Sequence, residues 1–414
     1  MEKNRNLIPF NKPFIAGKEL YYMAQAVLTE GHLSGDGEFT KRCHRWLEEN
    51  LHCLRAFLTP SCTASLEMAA ILCGIQAGDE VILPSFTFSS TANAFVLRGG
   101  RLIFVDIRPD TLNMDEKLID SAITARTRVI LPVHYAGVGC AMDEILDLAQ
   151  RHGLYVVEDA AQGLLSTYKG KYLGTLGHLG CLSFHETKNI ISGEGGALLV
   201  NDPVFVERAE IVREKGTNRN QFFRGEVDKY TWLDIGSSYL PSELVGAFLF
   251  AQLEQCEKII AARSRLFERY YNLLRPLHEK GWIQVPSLGD HCSANGHIFY
   301  ILARTGEEAV RLARHLKEEG ILAIFHYVPL HSSPAGKRYG RAVNDMKHTN
   351  ELSARLLRLP LYYEMRDEDL ERVVGRIFDY YRKADRKEST RSKEAPGEQN
   401  RARIKSSEEW GWTL

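Results

Sequence analysis

The middle of this 414-residue chain alternates short, continuously apolar runs with segments of helical periodicity. The apolar runs are Val81–Phe88, Leu102–Asp106, Val129–Val133 and Tyr155–Asp159. Continuous apolar runs are typical of strands that are covered on both faces of a parallel sheet. Between the last two runs, Asp143–His152 repeats its apolar residues at helical spacing, and we predict Asp143 as its N-cap and Gly153 as its stop. The alternation predicts an α/β fold with a mostly parallel sheet between helices.

The length of the chain predicts two domains, because a single core rarely keeps growing to this size. Helical patterns dominate after about Gln255, and we interpret residues 1–255 as a large domain and 256–385 as a smaller α+β domain. Further predicted elements are strands at Cys181–Glu186, Ala197–Asn201, His297–Ala303 and Leu322–Tyr327, and helices at Leu253–Leu274 and Ala309–Gly320. Residues 386–414 are charged and poor in large apolar side chains, a composition that predicts a disordered tail.

The composition of the chain argues against several classes of partner and ligand. Lys plus Arg number 52 and Asp plus Glu 53, a net charge of -1, which favours neither a nucleic-acid nor an anionic-membrane partner. The eight cysteines form no C-x-x-C pair and are predicted to be reduced core thiols, so we expect no metal site. No run of about 18 apolar residues and no signal-peptide pattern is seen. We therefore expect a cytoplasmic protein without a membrane partner.

Two ionisable residues follow successive predicted strands. Asp159 ends the strand in VVEDAAQG, and Lys188 lies in SFHETKN just beyond the next strand. Ligands of open α/β sheets bind beyond the carboxyl ends of the strands, where both side chains are expected. Taken singly, Asp159 is equally well explained as a helix N-cap, and Lys188 is better explained as a solvated lysine. Together they match pyridoxal phosphate, which needs a lysine for its aldehyde and a carboxylate for its ring nitrogen.

A candidate phosphate site precedes these residues. The hydroxyl-rich segment TPSCTASL, residues Thr59–Leu66, runs into a predicted helix at Leu66–Cys73. Backbone N–H groups at a helix N-terminus bind phosphate well, although most such segments are only Ser/Thr caps. The segment lacks the lysine of a P-loop and the glycines of a dinucleotide fingerprint, which argues against ATP and NAD.

The stretches TPSCTASL, PSFTF, VVEDAAQG, SFHETKN and GEGG resemble those of the DegT/DnrJ/StrS-type sugar aminotransferases. The resemblance runs from about Ile8 to about Arg382. It implies the type I pyridoxal-phosphate aminotransferase fold, with a large domain built on a mostly parallel sheet and a smaller α+β C-terminal domain. It also implies pyridoxal 5'-phosphate as cofactor and a homodimer with shared active sites.

The resemblance implies roles for particular residues. Lys188 would be linked covalently to the cofactor and would act as base and acid, and Asp159 would pair with the ring nitrogen. The remaining cofactor-binding positions would be Thr63, Ala64 and Ser183 at the phosphate, Phe88 on the ring, Gln162 at the ring or its phenolic oxygen, and Ser238 at the phosphate of the neighbouring subunit. His326 and His331 would line the sugar side, and the alternative for these two is a structural role at the surface.

Two positions depart from the family pattern. Many members have glycine where this chain has Cys62, so the phosphate loop is expected to be slightly displaced. Many have asparagine where this chain has Ser238. The serine side chain is shorter than that of asparagine, so we expect it to reach the phosphate of the neighbouring subunit through a water molecule.

Stretches outside the catalytic core, among them PVHYAG, REKGTNR and QFFRGEVDKYTW, resemble one branch of the family. That branch implies amination of dTDP-4-keto-6-deoxy-D-glucose by L-glutamate, giving dTDP-4-amino-4,6-dideoxy-D-galactose and 2-oxoglutarate for enterobacterial common antigen synthesis. Three alternatives remain open. They are an aminotransferase for a UDP-linked or C3-keto sugar, a non-catalytic ligand-sensing regulator, and a dehydratase. Lys188 argues against the dehydratase, because such enzymes have histidine at this position.

Overall fold

The computed structural model describes residues 7–289 and 291–394. Its helices are α1 Glu19–Leu28, α2 Glu38–Leu51, α3 Cys62–Leu72, α4 Ser89–Val96, α5 Ile119–Ala122, α6 Met142–His152, α7 Val206–Arg213, α8 Arg219–Phe223, α9 Glu243–Leu253, α10 Cys256–Glu279, α11 Gly306–Glu318, α12 Pro334–Tyr339, α13 Lys347–Arg355 and α14 Asp367–Glu394. Its strands are β1 Arg55–Thr59, β2 Glu80–Pro84, β3 Arg101–Val105, β4 Thr127–Ile130, β5 Tyr155–Asp159, β6 Thr167–Tyr168, β7 Lys171–Tyr172, β8 Leu179–Ser183, β9 Gly196–Val200, β10 Ile283–Gln284, β11 Cys292–Ser293, β12 Phe299–Ala303, β13 Gly340–Ala342 and β14 Leu356–Leu359.

Eight strands of the described chain form one sheet in the order β1-β9-β8-β5-β4-β2-β3-β13. Neighbouring strands are parallel, except that β9 runs antiparallel to β1 and β8. Successive strand residues belong to different cores, since Ile82 packs in one apolar cluster and its neighbours Val81 and Leu83 in another. Helices therefore cover both faces, as the continuous apolar runs predicted. The predicted fold class is confirmed.

A third apolar cluster forms the smaller C-terminal unit, in which α10, α11 and α14 pack beside the sheet β10-β12-β14. Two segments pass between the predicted domains. Ile8, near the N-terminus, forms a bridge with Ile321 and is buried in the C-terminal cluster. Strand β13 pairs in parallel with β3 at the edge of the large sheet. The proposed boundary near residue 255 falls between α9 and α10.

Several predicted elements need correction. The strand predicted over Val81–Phe88 ends at Pro84, because the carbonyl of Ser85 accepts from the Leu330 N–H (3.0 Å) rather than from another strand. The predicted N-cap Asp143 lies inside the first turn of α6, whereas Gly153 does end that helix in the left-handed region. The strand predicted over Leu322–Tyr327 is reduced to an isolated bridge.

The C-terminal tail also differs from its prediction. Helix α14 extends through residues 386–394, which were expected to be disordered. Their Lys, Glu and Arg residues have good intrinsic helix propensity, which allows the preceding helix to continue. Residues 395–414 lie outside the described part of the chain. Among the described residues, no helix has the length and apolarity needed to cross a membrane.

Candidate active site

The carboxyl ends of strands β5, β8 and β1 lie at one edge of the large sheet, in which β9 separates β1 from β8. Asp159 is the last residue of β5, Ser183 the last of β8 and Thr59 the last of β1. Lys188 lies in the turn that joins β8 to the antiparallel strand β9, and its backbone N–H donates to the His185 carbonyl (2.8 Å). The topology thereby brings the predicted carboxylate, lysine and phosphate loop to the same edge.

Asp159 is held by donors on two sides and is only 5% exposed. Its Oδ1 atom accepts a hydrogen bond from the Ala161 N–H (3.1 Å), and Oδ2 accepts one from the Thr91 hydroxyl (2.7 Å). The Ala161 contact is the turn that an aspartate makes when it caps the following residues. The capping explanation for Asp159 is thus partly correct, and it leaves the carboxylate available to a ligand as well.

The amine of Lys188 lies in a desolvated, charged environment. Burial lowers its pKa from the ordinary value, while the nearby Cys62 and Asp159 act in the opposite direction and Arg358 lowers it further. Lys188 is half-buried, unlike the solvated lysine of the alternative explanation. A lysine with a lowered pKa has more neutral amine at a given pH, and the neutral amine is the form that reacts with an aldehyde.

The predicted phosphate loop lies at the N-terminus of α3, which begins at Cys62, four residues earlier than predicted. Ser61 caps the helix by accepting from the Ala64 N–H (3.1 Å), and the Thr63 hydroxyl bonds to Ser90 (2.8 Å). Strand β9 passes so close that a Cβ on Gly196 would lie 2.4 Å from the Cys62 nitrogen. The first N–H groups of a helix lack intrahelical partners, so this end is suited to an anion.

Gln162 and Phe88 both adjoin the side chain of Tyr327. The Gln162 Oε1 accepts from the Ala136 N–H (2.6 Å), and its Nε2 donates to the Tyr327 hydroxyl (2.9 Å). The Tyr327 ring centre lies 6.3 Å from that of Phe88, the residue that precedes α4. Phe88 is 58% exposed, so its ring is free to stack on a planar ligand.

The two predicted sugar-side histidines are fixed by hydrogen bonds. His326 Nδ1 bonds to the Tyr135 hydroxyl (2.8 Å), and burial lowers the pKa of His326 well below its usual range. His331 Nδ1 bonds to Ser85 (2.7 Å), and burial lowers its pKa too. Neither histidine is an unconstrained surface residue. Both adjoin the carboxyl end of β2, since His326 also lies near Phe86.

Ser238 lies apart from these groups within a single chain. It is exposed, forms a bridge with Glu214, and lines a cleft of about 830 Å³. The residues that line this cleft do not include Asp159, Gln162 or Lys188. Ser238 is therefore not brought together with the other predicted cofactor-binding residues in this cleft.

Two residues that bond to the predicted site residues, Thr91 and Tyr327, were not predicted from the sequence. Thr91 is 1% exposed and bonds to Asp159, and Tyr327 bonds to Gln162. The sequence held no signal for either contact, since the bond of Thr91 to Asp159 joins residues 68 positions apart and that of Gln162 to Tyr327 joins residues 165 positions apart.

The model of the DegT/DnrJ/EryC1/StrS aminotransferase family matches residues 15–378 of the chain. The chain belongs to this family. The sequence-based resemblance is confirmed, and the protein is a sugar aminotransferase that uses pyridoxal phosphate. The donor set fits this cofactor, because a buried carboxylate, a lysine of lowered pKa and a helix N-terminus lie at one edge of the sheet.

Curated relatives cover nearly the whole chain. The spore coat polysaccharide biosynthesis protein SpsC of Bacillus subtilis is 30% identical, over 93% of this chain and 100% of its own length. GDP-perosamine synthase of Escherichia coli O157:H7 is 30% identical, over 90% of this chain and 98% of its own length.

Solved structures share the fold along the same length. The aminotransferase TlmJ of Streptoalloteichus hindustanus superposes with a TM-score of 0.82 at 27% identity, covering 90% of this chain and 98% of TlmJ. NtdA of Bacillus subtilis, solved with bound cofactor PMP, gives 0.81 at 28% identity, covering 91% of this chain and 86% of NtdA.

Proposed function

We propose that Lys188 is the lysine that bonds to the cofactor and that Asp159 pairs with the protonated ring nitrogen. The observation that carries this assignment is their meeting at the sheet edge, where Lys188 is desolvated and lies within electrostatic range of Asp159. Thr63, Ala64 and Ser183 would hold the phosphate at the N-terminus of α3, with Phe88 over the ring and Gln162 at its edge.

When bound, pyridoxal phosphate supplies an electron sink for the electrons left when a carbon–hydrogen bond next to nitrogen is broken. The chain then has two tasks. The negative charge of Asp159 keeps the ring nitrogen protonated, which preserves the sink. The Lys188 amine moves a proton between the carbon of the amino acid and the carbon of the cofactor, and its lowered pKa suits it to act as a base.

We propose L-glutamate as the amino donor and dTDP-4-keto-6-deoxy-D-glucose as the acceptor. The product would be dTDP-4-amino-4,6-dideoxy-D-galactose, a precursor for polysaccharide synthesis. The support is the sequence resemblance of segments outside the catalytic core, such as PVHYAG and QFFRGEVDKYTW. Both curated relatives cited above bear names from sugar or polysaccharide biosynthesis, which supports a nucleotide-linked sugar.

The acceptor is tested by incubating the purified protein with L-glutamate and one keto-sugar nucleotide at a time. We expect the dTDP-4-keto sugar to be aminated, with an axial C4 amine in the proton NMR spectrum of the product. The corresponding UDP-linked, GDP-linked and C3-keto sugars are the comparison set. Preferential amination of one of these, or an equatorial amine, would contradict the named substrate or product. No amination of any of these keto sugars would contradict the proposed class of acceptor.

The role of Lys188 is tested separately with Lys188→Ala. We expect no measurable transamination and no covalently retained cofactor after borohydride reduction, because no other amine replaces the lysine. Lys258, which is exposed, serves as the matched control in Lys258→Ala and should leave both properties unchanged. A Lys188→Ala protein that turned over normally would overturn the assignment.

We also propose that the protein is a homodimer in which each subunit completes the active site of the other. The support is the position of Ser238, which lines a cleft that does not include Asp159 or Lys188 of its own chain, and the exposed apolar segment near it. That segment exposes Phe223, Trp232 and Leu233 by 66%, 77% and 55%.

A further inference from the structure

A pair of buried threonines extends from the Asp159 carboxylate into the protein. Thr91, 1% exposed, donates from Oγ1 to Asp159 Oδ2 (2.7 Å), and Thr87, 2% exposed, lies 2.8 Å from the Thr91 hydroxyl. An ionised carboxylate only accepts hydrogen bonds, so the single hydroxyl hydrogen of Thr91 must point to Asp159. Thr91 therefore accepts from Thr87, and both hydroxyl dipoles point in the same direction, toward the carboxylate.

The position of Thr91 connects this hydrogen bond to the ring-binding segment. Thr91 lies in the first turn of α4, and its backbone N–H donates to the carbonyl of Phe88 (3.2 Å). The same short helix thus follows the proposed stacking aromatic and supplies the donor to the proposed ring-nitrogen partner. A β-branched side chain in a helix has few χ1 rotamers, so Thr91 is a stiff support.

We propose that Thr91 is a positioning residue that acts through Asp159, with Thr87 as its donor. This inference rests on the role proposed above for Asp159. Together with the Ala161 N–H, Thr91 fixes the orientation of the carboxylate and leaves its remaining lone pairs for the ring N–H. Hydrogen bonds to an ionised group are about twice as strong as neutral ones, and they stabilise the charge on Asp159. The shared proton is thereby kept on the ring nitrogen.

The test compares Thr91→Val, which keeps the shape but removes the hydroxyl, with Thr91→Ser, which keeps the hydroxyl. The measured quantities are the dissociation constant of pyridoxal phosphate and the pH midpoint of the absorbance change of the bound cofactor. We expect Thr91→Val to raise the dissociation constant about tenfold to a hundredfold, the range for a hydrogen bond to a charged group. The midpoint should move to higher pH, because a less protonated ring places less positive charge near Lys188. Thr91→Ser should stay close to wild type.

The control is Thr40→Val. Thr40 is also fully buried and donates to a carboxylate, Glu243 Oε2 (2.6 Å), so it reproduces the loss of a buried bond elsewhere. We expect it to lower thermal stability without moving the midpoint or the dissociation constant. Thr87→Val, with Thr91 intact, should shift both quantities in the same direction as Thr91→Val but by less, which keeps the test usable if Thr91→Val fails to fold.

An Asp159→Ala background separates this inference from the proposed function. If Thr91 acts through Asp159, adding Thr91→Val to Asp159→Ala should weaken cofactor binding no further. An equal additional loss in that background, a Thr91→Ser protein as weak as Thr91→Val, or a Thr91→Val protein with wild-type values would each overturn the inference. An Asp159→Ala protein that bound cofactor normally would instead overturn the role of Asp159 itself.

Discussion

At the scale of single residues, the side chains of the site depend on surroundings that tune them. Burial lowers the pKa of Lys188 against the opposing effect of Cys62 and Asp159. Asp159 in turn keeps its orientation through donors from Ala161 and Thr91. The environment of both side chains is therefore set by neighbours that come from different segments of the chain.

The lowered pKa of Lys188 predicts how it reacts with an amine-modifying reagent when the cofactor has been removed. The fraction modified should rise with pH around a midpoint below 10.5, the ordinary lysine value. The reason is that Lys188 loses its proton at a lower pH than an ordinary lysine does. The measurement is pH-dependent labelling followed by mass spectrometry of the Lys188 peptide, with exposed Lys258 as the reference. A Lys188 midpoint at or above the ordinary value would contradict this electrostatic description.

At the scale of elements, strand β9 packs closely against the start of α3, which is the proposed phosphate loop. Gly196 lies against Ser61 and Cys62, and an added Cβ would lie 2.4 Å from the Ser61 carbonyl carbon as well as from the Cys62 nitrogen. These neighbours are backbone atoms, which cannot move aside by changing a rotamer. The close approach allows the sheet to support the helix N-terminus directly.

Gly196→Ala is therefore expected to lower the free energy of unfolding by about 1–3 kcal/mol, the usual cost of overpacking. It should also weaken cofactor binding, since the loop has to shift. Thermal unfolding and cofactor titration measure the two effects. Gly375→Ala is the matched control, because Gly375 lies in α14 with open space around it and alanine favours a helix. Similar behaviour of both variants would contradict the steric explanation.

Helix α2 is connected to β1 by a neutral histidine. His44 Nε2 accepts from the Leu58 N–H (3.0 Å), so this nitrogen must be unprotonated. Burial lowers the pKa of His44 well below 6.5, and the nearby Arg213 and Arg55 lower it further. Because the unfolded chain binds a proton on His44 where the folded chain does not, folding stability is lost as the pH falls below about 6.5.

His44→Ala is expected to reduce stability at pH 7 by about 1–3 kcal/mol, because it leaves the buried Leu58 N–H unpaired. Its loss of stability between about pH 7 and pH 5 should be smaller than that of the wild type, since one buried neutral histidine has been removed. Thermal unfolding across this pH range measures both. The exposed His32, changed to alanine, is the control. An unchanged pH dependence in His44→Ala would show that this histidine does not couple protonation to folding.

At the scale of the whole molecule, chain segments distant in sequence join the two units. Ile8 pairs with Ile321, and β13 extends the large sheet beside β3. The hydrogen bonds of His326 and His331 to Tyr135 and Ser85 bring the C-terminal half over the edge of the large sheet. The sugar side of the proposed site is therefore built from both units.

The proposed dimer predicts the behaviour of Trp232→Glu. Trp232 is 77% exposed in a single chain, and its indole N–H donates to the Asp234 carbonyl (2.7 Å). Burying an unpaired carboxylate at an interface is costly, so the variant should dissociate to monomers and lose activity while staying folded. Light scattering, circular dichroism and an activity assay test this together. A fully active monomer would contradict a shared active site.

The sequence by itself determined the sheet and its ligand-binding edge. Continuous apolar runs specify strands covered on both faces, and β5 was predicted with its observed bounds, Tyr155–Asp159. Asp159 and Lys188 were predicted as site residues because strand ends in an α/β sheet face the ligand and because both lie in motifs of the family. Gly153 was correctly identified as the end of α6, since a left-handed turn favours glycine.

Only the tertiary structure decided the contacts between residues far apart in the chain. The end of β2 at Pro84, the bond between Gln162 and Tyr327 and that between Asp159 and Thr91 depend on where segments meet. The hydrophobic periodicity of a segment indicates which of its faces is buried, and this pattern is a local property of the chain. Hydrogen bonds between distant residues, and the desolvation that lowers the pKa of Lys188, arise only when the chain has folded.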